Sequence, residues 1–225
     1  MSGARRVVVT GFEPFGGHTA NPSAEIARAL DGSTIAGAHL ETRILPVDLA
    51  RLDGALDAAL AGAEPALVLA LGLAAGEPAI RLERVALNLA DFAIPDNSGA
   101  LARGQKLDPA GPPAHLARLP LEAMLDALLA AGIPARLSES AGTYLCNAAM
   151  YRLLQRLPAR VSCGFVHLPQ LPAQAAAALA TRAGRAGETG LPGLASMALE
   201  TQRRAVEIAL AVALAAGLET AAPKA

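Results

Sequence analysis

The chain has 225 residues, of which 53% are hydrophobic and 17% charged, and its 19 Lys+Arg nearly cancel its 20 Asp+Glu to leave a formal net charge of -1. That balance excludes a chain-wide basic footprint for nucleic acid and an acidic disordered tail. Four Phe, two Tyr and no Trp also deny it the aromatic stacking platform of a single-stranded nucleic-acid binder.

In chain order, residues 5–10 predict a first strand, ended by Gly11. Asn21-Pro22 predicts a helix start, with Asn as N-cap and Pro at the first helical position, and residues 24–30 continue it. Residues 39–45 alternate as a strand, and 48–60 predict a helix with Leu49, Leu52, Leu56 and Leu60 at helical spacing. Residues 66–71 are a continuous apolar run, the pattern of a strand covered on both faces. Residues 84–90 alternate Val85, Leu87 and Leu89 with Ala86, Asn88 and Ala90, which predicts a strand with Glu83 at its start. Residues 94–119 are rich in Pro and Gly and predict a long loop, a lid or an oligomer contact.

Regular structure resumes with a helix over 120–131, stopped by Gly132, then a strand over 135–138. A helix over 146–157, a strand over 161–167 and a final helix over 196–216 complete the chain. Strands alternating with helices predict a single α/β domain over residues 1–218, a sheet with helices on both sides, and a frayed tail over 219–225. The uncharged stretches 65–76 and 208–218 fall short of the roughly 18 to 20 apolar residues that cross a membrane. Three valines after Arg6 are too few for a secretory segment, which needs about 7 to 15 apolar residues. The expectation is a cytoplasmic protein whose two cysteines are free thiols.

Common cofactor signatures are missing: after the first strand stands Thr10-Gly11-Phe12-Glu13-Pro14-Phe15-Gly16-Gly17, not G-x-G-x-x-G, and there is no Walker A lysine, G-x-S-x-G or H-E-x-x-H. Four scattered His and two Cys give no metal-ligand spacing. Three residues remain as a candidate constellation. Cys146 follows Ser140-Ala141-Gly142-Thr143-Tyr144-Leu145 where a turn hands over to a helix, and a thiol there feels unpaired amides and the positive end of the helix dipole. The same amides can hold an oxyanion during acyl transfer; alternatively Cys146 is a small core residue. His167 closes a strand, at the carboxyl edge where open α/β sheets gather their sites, or is a structural histidine. Glu83 could fix the imidazole tautomer of a Cys–His pair, or be a strand-end charge beside an arginine. Cys163, in mid-strand, reads as core, and His18, His39 and His115 read as solvent-facing.

The segments around these three residues and three others occur together: Gly11-Phe12-Glu13-Pro14-Phe15-Gly16-Gly17, Asn21-Pro22-Ser23, Glu83-Arg84-Val85-Ala86-Leu87-Asn88, Ile94-Pro95-Asp96-Asn97, Ala141-Gly142-Thr143-Tyr144-Leu145-Cys146-Asn147 and Gly164-Phe165-Val166-His167-Leu168-Pro169. With them in this order, from about Val7 to Leu214, the chain resembles the pyroglutamyl-peptidase I (pyrrolidone-carboxylate peptidase) family of cysteine peptidases. The resemblance implies an α/β/α sandwich around a twisted, mostly parallel sheet, assembled as a homotetramer. It implies removal of an N-terminal pyroglutamyl residue from peptides, without metal or organic cofactor. Carried over by residue, Cys146 is the nucleophile, His167 the general base and then acid, and Glu83 the group orienting His167.

A neutral flat lactam asks for apolar walls and a few hydrogen bonds, not a charged grip. By resemblance Phe12 and Phe15 flank the ring, with Gly72, Leu73 and Tyr144 as further candidates for lining the pocket; Phe12 and Phe15 could instead anchor the glycine-rich loop. The chain departs from the family pattern at Arg81, commonly Ser or Thr, at Ala93, usually Arg in bacterial members, and at Gln170, often aromatic. Arg81 and Ala93 keep in view a silent homologue that binds blocked N-termini, and a further alternative is a Cys-dependent amidohydrolase for another small lactam or amide.

Overall fold

The computed structural model describes residues 5–182 and 194–221. In β1 (Arg5–Phe12) the side chains of Val7 and Val9 point to one side and those of Val8 and Phe12 to the other, and all four are buried. A strand apolar on both sides needs helices on both faces of its sheet. β4 (Leu67–Leu73) is buried at every residue, as its unbroken apolar run predicts. With β3 (Ala38–Leu45), β5 (Ile80–Glu83), β8 (Ala135–Ser138), β9 (Ser162–Leu168) and the short β2 (Thr34–Ile35) they form a seven-stranded sheet of order β2-β3-β1-β4-β9-β5-β8. β3, β1, β4 and β9 run parallel, β5 lies antiparallel to β9 and β8 runs parallel to β5.

One face is covered by α1 (Pro22–Leu30), α3 (Leu121–Ala130) and α6 (Leu199–Ala221), which bring Ile26, Met124 and Leu210 onto Val7, Val9 and Leu69. The other is covered by α2 (Leu49–Leu60) and α4 (Leu145–Arg156), which bring Leu52, Ala149 and Tyr151 onto Val8, Ala70 and Phe165. Local chemistry fixes the helix starts: Asn21 accepts from the Ser23 N–H at 3.1 Å, and Asp48 accepts from Ala50 and Arg51. Gly132, at φ 73, closes α3. The expected α/β sandwich around a mostly parallel sheet is the architecture observed.

Several local expectations differ. The single strand expected over 84–90 is two: β5 ends at Glu83, and β6 (Val85–Leu87) leaves the large sheet to pair antiparallel with β7 (Ala114–Leu116). Glu83 therefore ends a strand instead of starting one, and the loop expected over 94–119 contains β7. The break has a cause in Arg84, which turns outward to Glu122 and Glu139 while its N–H donates to Ser138 O. His115, expected to face solvent, packs on Tyr151 with ring centroids 4.6 Å apart, its Nε2 buried and unpartnered among the described residues. Burial, and then the Arg118 charge, lower its pKa. An unanticipated α5 (Pro172–Arg182) follows β9. α6 continues to Ala221 through the first residues of the tail expected to fray, and 222–225 lie outside the described residues. Among the described residues, no helix is long and apolar enough to cross a membrane.

Candidate active site

α4 begins directly after the tight turn at Gly142, φ 80. The turn is pinned on both sides: Ala141 N–H donates to Val85 O, Asp91 N–H to Thr143 O, and Thr143 Oγ1 to Asp91 O at 2.7 Å. The N-cap Tyr144 provides no side-chain cap, so the first-turn amides keep their hydrogen-bonding capacity for something outside the helix. Cys146, in that first turn, is half-buried. Its Sγ lies against β4, where a Cβ built on Gly72 would come within 2.7 Å of both Cys146 Sγ and Phe165 Cζ. Glycine at 72 is what lets a thiol and an aromatic ring share the end of that strand.

His167 is the sixth residue of β9, opposite Gly72 in the parallel register. Side chains alternate along a strand, so Cys163, Phe165 and His167 share the face that α4 covers. From the other neighbour, β5 presents Glu83 to the same face. Glu83 is fully buried, and its Oε1 lies 2.7 Å from His167 Nδ1. That hydrogen bond commits Nδ1–H to the carboxylate and leaves the other ring nitrogen for the thiol. Burial alone would lower the His167 pKa, but the Cys146 charge, its hydrogen bond, and then the hydrogen bond and charge of Glu83 push it up to about 9. The three residues proposed from sequence thus stand together, from α4, β9 and β5. Glu83 arrives from an antiparallel strand, not from the carboxyl edge of the parallel set.

The proposed pocket residues fall into two layers. Phe12 is buried in the core with Val8 and Phe92. Phe15, half-buried, faces Tyr144 at 5.9 Å between centroids, and Tyr144 meets Phe92 edge-on at 4.6 Å. Burial, then the charges of Asp96 and Cys146, raise the Tyr144 pKa to about 12, so its hydroxyl keeps its proton and donates a hydrogen bond to Pro95 O at 3.0 Å. Leu73 ends β4 beside Leu168, one residue beyond Gly72.

Supporting residues went unassigned in the sequence. Asp96 binds the Leu49 N–H with one oxygen and Ser98 and Ala100 with the other. Glu13 Oε1 accepts from Val47 N–H and Asn97 Nδ2, which ties the Phe12–Phe15 loop to the loop after Ile94. Asn147, fully buried, gives β6 the partner a strand would: it accepts from Leu87 N–H and donates to Leu87 O and Leu89 O. All lie inside the quoted motifs, and that was the one signal that could have found them. An open cavity of about 590 Å³ lies elsewhere, at the opposite ends of β4 and β9 between Ala66, Arg118 and Ser162, and its lining includes neither cysteine nor histidine. Among the described residues no group of three or more His, Cys, Asp or Glu is placed to hold a metal ion.

A thiol at uncapped amides, an imidazole and a buried carboxylate in series, on an α/β/α scaffold, define a cysteine-type hydrolase. The comparisons narrow the class. The family model described as pyroglutamyl peptidase matches residues 5–216. The chain is 46% identical over 168 residues to a pyrrolidone-carboxylate peptidase of Chromobacterium violaceum, covering 75% of this chain and 79% of that one. The fold superposes on the pyrrolidone carboxyl peptidase of Thermococcus litoralis with a TM-score of 0.85 at 36% identity, covering 96% of each chain. For the Thermus thermophilus pyrrolidone carboxyl peptidase the TM-score is 0.78 at 41% identity, covering 92% of this chain and 99% of that one. The chain belongs to the pyroglutamyl peptidase family of cysteine peptidases.

Proposed function

We propose that in this protein Cys146, His167 and Glu83 remove an N-terminal pyroglutamyl residue from peptides by acyl transfer. The observation that carries the reading is the buried 2.7 Å contact of Glu83 Oε1 with His167 Nδ1, on the face where Cys146 Sγ meets Gly72. Cys146 Sγ attacks the lactam-side carbonyl of the scissile amide, and the oxyanion forms next to the first-turn amides of α4. His167 then protonates the leaving amine, and the amine departs with the rest of the peptide. Water, deprotonated by His167, releases pyroglutamate from the thioester. Glu83 holds the imidazole in the tautomer both steps need.

The ring of a pyroglutamyl group is flat and uncharged, which suits the apolar Phe15–Tyr144–Phe92 set beside Cys146, with Phe12 beneath it and Gly72 and Leu73 offering backbone hydrogen bonds. The proposed setting is a cytoplasmic homotetramer. Leu116 and Leu129, 72% and 52% exposed, are apolar surface that other copies would cover, and light scattering for four 22.7 kDa chains is the check. The functional test compares pyroglutamyl, prolyl and glutaminyl amides. Release should be confined to the pyroglutamyl amide and fall about 10⁴-fold or more in Cys146→Ala. Equal cleavage of the three amides, or full activity in that variant, overturns the reading.

A further inference from the structure

Arg81 and Glu83 are two apart on β5 and share its α4-facing side, and the antiparallel register puts Arg81 opposite His167. The Arg81 Nε lies 3.0 Å from Glu83 Oε1, the same oxygen that His167 Nδ1 meets at 2.7 Å. Among the described residues neither Arg81 Nε nor Glu83 Oε2 has a hydrogen-bond partner, so guanidinium and carboxylate are joined by charge, not by an aligned hydrogen bond. The rest of the head group is anchored. Nη2 donates to Ser138 Oγ at 2.7 Å and Ser140 O at 3.2 Å, in the segment that leads to Cys146. Nη1 reaches Glu77 at 3.3 Å, whose other oxygen takes Arg136 at 3.0 Å. The charged and titratable groups around His167 are therefore Cys146 from α4 and Glu83 with Arg81 from β5. Glu77 and Arg136 stand behind Arg81, Tyr144 and Asp96 are the next groups beyond Cys146, and β4 contributes only Gly72.

We propose that Arg81 is a positioning residue whose guanidinium keeps the buried site charge-balanced after His167 has given up its proton, and so frees the imidazole to act as base in deacylation. The inference rests on the roles given above to Cys146, His167 and Glu83. On those roles the free enzyme works with a Cys146–His167 ion pair beside the Glu83 carboxylate and the Arg81 guanidinium. Acylation converts the thiolate to an uncharged thioester and sends the imidazolium proton out on the leaving amine. Glu83 is then balanced by Arg81 alone. Without that guanidinium a lone buried carboxylate would face a neutral imidazole, and the imidazole would retain a proton to compensate it. Deacylation needs the opposite. As a water oxygen bonds to the thioester carbonyl its proton must pass to His167, after which the C–S bond breaks and its electron pair returns to Sγ. An imidazole already protonated cannot accept that proton.

The test separates charge from architecture and does not depend on turnover alone. Alkylating Cys146 with iodoacetamide leaves an uncharged thioether in place of the thioester, and NMR then reads the His167 imidazole titration directly. In Arg81→Gln the midpoint should rise by about one unit or more, a tenfold gain in proton affinity, while Arg81→Lys restores it. If Gln is not tolerated, Arg81→Met makes the same comparison. In turnover between pH 6 and 7, kcat and KM of the neutral variant should fall together about tenfold with kcat/KM held, the sign of slowed deacylation. A residue that only tied Ser138 and Ser140 to β5 would lower kcat/KM, leave the midpoint in place and not be restored by Lys; that result, or an unmoved midpoint, overturns the proposal. A moved midpoint in a protein that cleaves no pyroglutamyl amide would instead overturn the activity and leave the charge balance standing.

Discussion

The two cysteines lie on the same side of the same sheet, with Phe165 between Cys163 and His167 on β9 and its ring touching the space that Cys146 shares with Gly72. Their surroundings give opposite chemistry. Cys146 is half-buried at uncapped amides beside His167. Cys163 is fully buried, and burial, only partly offset by the Arg118 charge, pushes its thiol up to about 12. Arg118 does not reach over to activate it, because that guanidinium is spent on Leu154 O, Leu157 O and Val161 O. In the proposed mechanism reactivity belongs to the position: a helix start, an imidazole and a path to solvent suit one thiol to attack, and a dry strand leaves the other as a spacer.

The contrast is most easily broken at Gly72. A methyl group there would enter the 2.7 Å gap to Cys146 Sγ and Phe165 Cζ, and a displacement of about 1 Å costs on the order of 10²-fold in rate. Gly72→Ala should lower kcat/KM for a pyroglutamyl amide by about that factor while Cys163 stays unlabelled; undiminished activity would mean the thiol does not work from where it rests. The next test uses pH. His167 is raised to about 9, so its imidazolium, the acid that the proposed mechanism needs for the leaving amine, is present below that value and is lost as pH rises through it. The kcat/KM profile should therefore carry its alkaline limb near pH 9. A limb near 6.5, where an unperturbed imidazole titrates, would show that the Cys146–His167–Glu83 coupling is absent in solution.

How far the sequence revealed this depends on which interactions are local. β1, β3, β4 and β9 were legible because their apolar patterns are set by the sheet they enter, and the starts of α1 and α2 because Asn21 and Asp48 cap within three residues. Cys146 and His167 were likewise marked by a helix start and a strand end. The split of residues 80–90 into β5 and β6 was not legible: it depends on Arg84 finding Glu122 and Glu139, and on Asn147 replacing a strand partner for Leu87. β7 escaped because three residues in a Pro-rich stretch carry no period, and α5 because a run of alanines has no contrasting face. The Glu83–His167 contact spans 84 positions and depends on β5 lying antiparallel to β9, which no local pattern specifies. Arg81 stood out in the sequence as a departure from the family pattern, and only packing turned that departure into a partner for Glu83.

The smallest expected effect falls on the other thiol. Cys163→Ala removes one buried sulfur from a fully packed face, between β4 and the residues of α4. The loss of contacts should cost about 1 kcal/mol of unfolding free energy, measured by urea denaturation. The substituted residue lies four positions before His167 along the strand and takes no part in its hydrogen bonds, so kcat/KM and its pH profile should be unchanged. Thiol counting sharpens the point. The native protein should take up one equivalent of iodoacetamide near neutral pH and the variant also one. In denaturant the native protein should take up two, because only unfolding exposes Cys163 to water, where its thiol regains its ordinary acidity. A native protein that labels twice while folded, or a Cys163→Ala variant that loses activity out of proportion to its stability, would place Cys163 in the working part of the site and erase the distinction between the two thiols.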